Sequence, residues 1–336
     1  LGIESKLYLN KRGETVKNHN IPDIMQGPFP ILKPKSGWKR FVRQWDVQLM
    51  VIPALLFIFV FSYIPMYGVL MAFQDYDIFK GFFHSQWAGF KHYEAFFHAP
   101  EFWRIMRNTV VISLLKLFIG YPAPIVLALM LNEISQMFFK RVIQTISYLP
   151  HFLSWVIVGG FAMSMLATDN GSINMLLMKL NLVQEPINFL SIPEYFWGIL
   201  VGAGVWKEIG FATIIYLAAI AGVDPHMYEA ASIDGASRFK QMFLITLPSI
   251  APVIVIFLIL SVGNILNAGF EDILVLGTNP ILREVSDVID TYVYRIGILN
   301  SRYSYATAVG LFKAIINIAL LTVANAIARR LGTSLW

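Results

Sequence analysis

The sequence predicts an all-α integral membrane protein of six transmembrane helices with both termini cytoplasmic. Three observations carry this reading. Of the 336 residues, 57% are hydrophobic and 14% are charged, where ordinary soluble domains are about 25% charged. Six apolar stretches are long enough to cross a bilayer core as helix, which takes about 20 residues. Basic residues gather at the ends of alternate stretches, the pattern that marks the cytoplasmic side.

Residues 1–44 are polar, basic and interrupted by Pro22, Pro28, Pro30 and Pro34, with no apolar core of signal-peptide length. They read as a cytoplasmic tail. Six Lys and three Arg against three acids precede Asp46, which fixes this end inside. Its last part, Trp38 to Trp45, mixes basic and aromatic residues and suits a helix lying against membrane lipid.

Residues 45–336 then form one six-helix transmembrane domain, with spans at 48–73, 106–131, 143–166, 195–221, 249–270 and 304–328. Pro53 and Pro65 fall in the first span, Pro122 and Pro124 in the second. Bundled membrane helices tolerate them because neighbours satisfy the freed backbone groups. Lys140 with Arg141, Arg238 with Lys240, and Arg329 with Arg330 all fall inside. The opposite loops are longer and acidic, with Glu271, Asp272, Glu284, Asp287 and Asp290.

Several function classes drop out. The chain has no cysteine, so it has neither disulfides nor Cys-ligated metal. His92, His98, His151 and His226 are scattered, without metal-ligand spacing, so no metal is expected. No nucleophile–base or paired-carboxylate arrangement assembles on one side of the membrane, so no catalysis is expected. The net charge of +5 sits in the tail and at span edges rather than on a polar domain, which argues against nucleic acid. No inverted repeat or Arg-rich voltage-sensing helix is visible.

The loop between the fourth and fifth spans, 224–248, is the most informative segment. Asp224 suits a helix N-cap and Pro225 the first helical position, where no N–H is needed. Glu229, Ala230 and Ala231 fill a short helix. Asp234 and Gly235 signal a turn, and Pro248 is expected to open the fifth span. Small side chains at 230 and 231 allow close approach of another backbone, and Glu229 offers a charge to a partner's Arg.

The order Glu229-Ala230-Ala231, Gly235 after three residues, Ile245 after nine more, then Leu247-Pro248 resembles the EAA loop of binding-protein-dependent ABC importer permeases. Gly89 to Tyr93, Phe102-Trp103, Asn108-Thr109, Tyr148-Leu149-Pro150 and Trp206 to Phe211 resemble further landmarks of the sugar-importing branch. Within it, the chain is similar to permeases for alginate- or pectin-derived oligosaccharides. The resemblance implies a type I (MetI-like) permease fold in a bacterial cytoplasmic (inner) membrane. It also implies a second homologous permease, two cytoplasmic ABC ATPase subunits and an extracytoplasmic solute-binding protein as partners, with an oligosaccharide as cargo. Glu229, Ala230, Ala231, Asp234, Gly235, Leu247 and Pro248 would couple to the ATPase. The chain lacks a G-x-x-x-x-G-K-[ST] loop, so it binds no cofactor itself, and ATP and Mg belong to the partner ATPase.

Polar groups at membrane depth usually face a cavity or a neighbouring helix. Ser261, Asn264 and Asn267 recur every three residues and are expected on one helical face, lining a cavity or bonding helices together. Trp155, Trp206, Lys207 and Glu208 complete the expected substrate path. Aromatic faces suit sugar rings, although Trp also anchors membrane interfaces. Lys207 either pairs with Glu208 or meets an anionic uronate; Lys313 and Asn317 pose the same alternative.

Rival readings fit less well. A secondary transporter predicts acids buried in mid-span, where Glu208 is the one candidate. A membrane enzyme needs a reactive cluster at one interface. An exporter usually extends its helices far into the cytoplasm, whereas these loops are short.

Overall fold

In a bilayer every backbone N–H and C=O must be paired within the protein, which drives so apolar a chain to helix. The computed structural model describes residues 44–330 and 332, and these are helical almost throughout. The chain divides into two units, Leu1–Met66 and Tyr67–Trp336. In the first, the described residues form the helix Trp45–Ile58, a π-turn over Phe59–Tyr63 and the start of a 3-10 stretch. The tail reading for 1–44 and the interfacial reading for 38–45 lie outside the described residues, apart from Gln44 and Trp45.

Among the described residues, five helices are long and apolar enough to cross a membrane: Gln48–Phe73, Phe102–Glu133, Pro193–Ala221, Arg238–Gly263 and Tyr303–Arg330. The third span is a bent pair, Met137–Phe152 and Trp155–Met165, with 106° between its arms. This corrects the continuous helix expected over 143–166. Pro150 has no N–H to return into the helix, so the chain tightens into a 3-10 turn over Leu149–Phe152. Leu153 is extended, and Ser154 caps the restart by accepting the Ile157 N–H at 3.4 Å. Eleven residues, Trp155–Met165, rise only about 16 Å, half a bilayer core. Both arms are therefore needed for one crossing. That crossing also keeps Lys140, Arg141, Arg238, Lys240 and Arg329 on one side.

The fifth span differs from expectation at both ends. It begins at Arg238, so Pro248 sits inside a continuous helix rather than opening it. A π-turn over Met242–Thr246 immediately precedes Leu247. The widened turn accommodates Pro248, which cannot donate back to residue 244. At the other end the helix stops at Gly263, and residues 264–270 leave helical geometry.

Burial of apolar side chains holds the second unit together. Toward the cytoplasmic ends, Ile125, Ala128 and Leu129 of the second span meet Tyr216 and Ile220 of the fourth and Ile250 of the fifth. Toward the outer ends, Ile112, Phe196 and Leu200 pack under Ala268, Ile273, Leu276 and Val288. The fourth span also lies backbone against backbone on the bent third span. A Cβ on Gly210 would sit 2.0 Å from the Ser147 carbonyl oxygen.

Short helices at Glu271–Leu276, Arg283–Ser286 and Ile289–Tyr294 cap the outer side. The landmark pair Asn108-Thr109, fully buried, holds this cap down. Asn108 Nδ2 donates to the carbonyls of Glu284 (3.0 Å) and Asp287 (3.1 Å), and Thr109 Oγ1 accepts the Ile289 N–H (3.0 Å). Three acids expected as outward loop charge are internal counterions instead. Asp272 pairs with Lys116 at 2.5 Å, Asp290 pairs with Lys313, and buried Asp287 takes a two-pronged bond from Arg295 at 2.9 and 2.6 Å. The cap folds back onto the spans, so its acids meet their basic residues.

Replacing Asn108 by Ala strands the buried Asp287 carbonyl, while the exposed Glu284 carbonyl keeps its bond from Arg107 Nη2 at 3.0 Å. The expected cost is about 1–3 kcal/mol, read as a lower thermal midpoint of the detergent-solubilised protein. The exposed substitution Asn300→Ala should stay within about 0.5 kcal/mol. Equal midpoints for both would refute this account of the cap.

Candidate functional site

The 224–248 loop is built from three local rules. Asp224 Oδ1 accepts the His226 N–H at 3.0 Å, starting the helix Pro225–Ile233 with proline at its first position. The helix ends in a Schellman motif: Gly235 N–H donates to the Ser232 carbonyl (3.1 Å) and Ala236 N–H to the Ala231 carbonyl (2.9 Å). Gly235 has φ +76° with open space around it. Glycine is needed there for its backbone conformation, not for room. The spacing from Ala231 to Gly235 is thus the spacing of a helix stop.

This helix is clamped to the base of the fifth span. Tyr228 Oη and Thr246 Oγ1 share a hydrogen bond of 2.9 Å, with Thr246 buried. Gln241 Nε2 donates to Ser232 Oγ at 3.0 Å and to the Ala236 carbonyl at 3.1 Å. Glu229, Ala230, Asp234 and Gly235 remain exposed, and the neighbouring Ile233 is 86% exposed. The helix and its stop therefore present two acids, Glu229 and Asp234, with His226 Nδ1 3.3 Å from Glu229 Oε2, beside small and apolar groups. Leu247 and Pro248 lie elsewhere: Leu247 packs on the inner core and Pro248 sits exposed beyond the π-turn.

At membrane depth, two clefts of about 210 Å³ open on the second unit. One is lined by Ser113, Lys116, Tyr121, Ser261, Asn264 and Asn267. The other is lined by Lys116, Pro124, Trp155, Gly204 and Glu208, among others. Lys116 belongs to both. Ser261, Asn264 and Asn267 do converge on one cleft, but not as a helical stripe. Ser261 lies in the last turn of the helix and bonds back to the Phe257 carbonyl (2.8 Å), while Asn264 and Asn267 stand on unwound backbone. Asn267 Nδ2 donates to Asn264 Oδ1 at 2.9 Å. Glu271, expected to extend the stripe, starts a separate short helix.

The unwound segment is held by neighbours. Asn317 Oδ1 of the sixth span accepts the Leu266 N–H at 3.2 Å, and Lys116 Nζ donates to the Ala268 carbonyl at 2.7 Å. Asn317 thus bridges to the unwound segment, and Lys313 bridges to Asp290.

Lys207 is buried and doubly bonded. Its Nζ donates to the His151 carbonyl at 2.7 Å and to Glu208 Oε1 at 3.1 Å. Glu208 Oε2 lies 2.7 Å from His151 Nδ1, and the His151 ring stacks on Phe211 at 3.9 Å. The pairing alternative holds for Lys207, and Glu208 keeps one flank on the cleft. Trp155 lines that cleft with the Lys207 ammonium 5.8 Å from its ring. Trp206 is stacked on Phe161 and lines neither cleft. Sequence patterning missed Lys116 and His151. The signal for Lys116 was available: it is the one charge inside the apolar run 108–131. His151 gave none, because its role depends on the break beside Pro150.

A family model described as "Binding-protein-dependent transport system inner membrane component" matches residues 120–333. Protein LplB of Bacillus subtilis (strain 168) is 47% identical over 305 residues, which are 90% of this chain and 95% of that one. The polygalacturonan/rhamnogalacturonan transport system permease protein YteP of the same organism is 44% identical, over 87% of this chain and 90% of its own. A chain from the crystal structure of a bacterial ABC transporter involved in the import of the acidic polysaccharide alginate matches with a TM-score of 0.80 at 40% identity, covering 87% of this chain and 98% of that chain. A chain of the bacterial alginate ABC transporter in complex with alginate pentasaccharide-bound periplasmic protein gives 0.81 at 39%, over 88% and 98%.

The loop geometry yields its own test. Gly235→Ala forces a Cβ into left-handed backbone at a cost of about 1–2 kcal/mol. Amide exchange at Ala236 should accelerate about tenfold, while the core of the fifth span keeps its protection. Unchanged exchange at Ala236 would mean that the Schellman stop does not hold the loop.

Proposed function

This chain belongs to the family of binding-protein-dependent transport system inner membrane components, and on that premise we propose that it passes uronate-containing oligosaccharides inward as the permease subunit of an ABC importer. Such a permease is a non-catalytic membrane component. A second homologous permease completes the path, two cytoplasmic ATPase subunits bind ATP and Mg, and an extracytoplasmic binding protein delivers the cargo across a bacterial cytoplasmic membrane.

One observation carries the mechanism: the helix Pro225–Ile233 is bonded to one end of the helix whose other end unwinds into the polar cleft. In this reading the exposed Glu229 face seats in the ATPase. Closure of the ATPase pair on ATP pushes the seated helix, and the Tyr228–Thr246 and Gln241–Ser232 bonds pass the push to Arg238–Gly263. That helix is continuous over about 39 Å, so displacement at its base is carried toward Asn264 and Asn267. Their amides suit sugar hydroxyls, and Trp155 offers a face to the C–H side of a ring. The uronate class is favoured because similar chains serve polygalacturonan/rhamnogalacturonan and alginate transport.

Two outcomes are expected in the complete complex reconstituted with binding protein. Glu229→Lys reverses a charge at the seat and should cut ATP-driven uptake at least about thirtyfold while membrane insertion stays normal. Normal uptake would remove the docking role. Asn264→Ala with Asn267→Ala should lower uptake of a galacturonate trimer while the ATPase still co-purifies. Wild-type uptake there would return both amides to packing.

A further inference from the structure

Lys116 differs from the other basic residues at membrane depth. The Lys207 side chain, on the fourth span, is only 8% exposed and donates to the His151 carbonyl and Glu208, and Lys313 is closed against Asp290. The Lys116 side chain is 31% exposed and lines both clefts. An ammonium has three N–H donors. Two are used here, on the Ala268 carbonyl and on Asp272 Oδ2. One donor and the open flank remain for a ligand.

Its setting is rigid. Asp272 is 4% exposed, and among the described residues Lys116 is the cation within ion-pair distance of it. Gly269, at φ +126°, leaves no space beside the pair: a Cβ there would lie 2.3 Å from Asp272 Oδ1 and 2.7 Å from Lys116 Nζ. The ammonium is thus fixed on a residue that lines both clefts. Among the described residues, the other charge lining these walls is Glu208, which is bonded to Lys207 and His151.

We infer that Lys116 is the residue that recognises the carboxylate of an acidic saccharide, with Asp272 as its built-in counterion. This rests on the uronate reading of the cargo. A bare cation in a low-dielectric cleft would hold an anion too tightly to release it. Shared with Asp272, the ammonium gives its remaining donor to each uronate in turn. A chain moving between the clefts passes the same residue from either side.

Removing Lys116 alone would strand buried Asp272, so the test uses Lys116→Gln with Asp272→Asn, which keeps a neutral hydrogen-bonded pair. The complete complex with binding protein is reconstituted in proteoliposomes, and ATP-driven uptake of a galacturonate trimer is compared with that of its methyl ester. The ratio of acid to ester uptake should fall about tenfold or more in the double variant, and Lys116→Arg should retain it. Equal loss of both probes, or an unchanged ratio, would overturn the assignment while leaving the uronate cargo standing. Uptake of the ester alone by the wild-type complex would overturn both.

Discussion

A backbone group released by a broken membrane helix must find another partner, and this requirement organises the second unit. The chain breaks a span in two places, at Leu149–Ser154 and after Gly263. At the first, the Lys207 ammonium takes the freed His151 carbonyl. At the second, Asn317 takes the Leu266 N–H and Lys116 takes the Ala268 carbonyl. Each repair comes from a different span. The polar side chains at membrane depth that look anomalous in sequence are largely these repairs, and hydrocarbon offers no water to replace them.

The same repairs place the functional surface. Unwinding after Gly263 turns Asn264 and Asn267 into the cleft, and the break before Trp155 sets its ring on the adjoining one. The long unbroken helices do the opposite job. Arg238–Gly263 joins the clamped loop helix to the unwound segment as one continuous helix, interrupted only by the π-turn over Met242–Thr246.

Sequence patterning was a good guide where the physics is local or averages over many residues. The long apolar helices and the start and stop of the 225–233 helix are set by hydropathy, Asp224, Pro225 and Gly235. It was a poor guide where a tertiary contact decides. Pro150 falls inside the continuous span expected over 143–166, yet with Lys207 taking the His151 carbonyl the helix breaks there. Ser261, Asn264 and Asn267 have helical spacing, but the helix ends at Gly263 because Asn317 and Lys116 can hold the unwound residues beyond it. Asp272 and Asp287 look like loop acids until the outer cap folds onto Asn108 and Thr109. In each case the deciding partner lies far away in sequence.

Pairing charges inside the path has a consequence for selectivity. Lys207 with Glu208 and Lys116 with Asp272 are each neutral as pairs, so the clefts carry little net charge and do not trap an ion. Discrimination must then come from how much of each pair faces the cleft. In one pair the cation is buried and the acid half-exposed; in the other the acid is buried and the cation stands open. A neutral sugar meets both as hydrogen-bonding groups. On the proposed uronate cargo, an acidic sugar would be repelled along the Glu208 flank and accepted at the partly exposed Lys116, which would fix where its charge can rest.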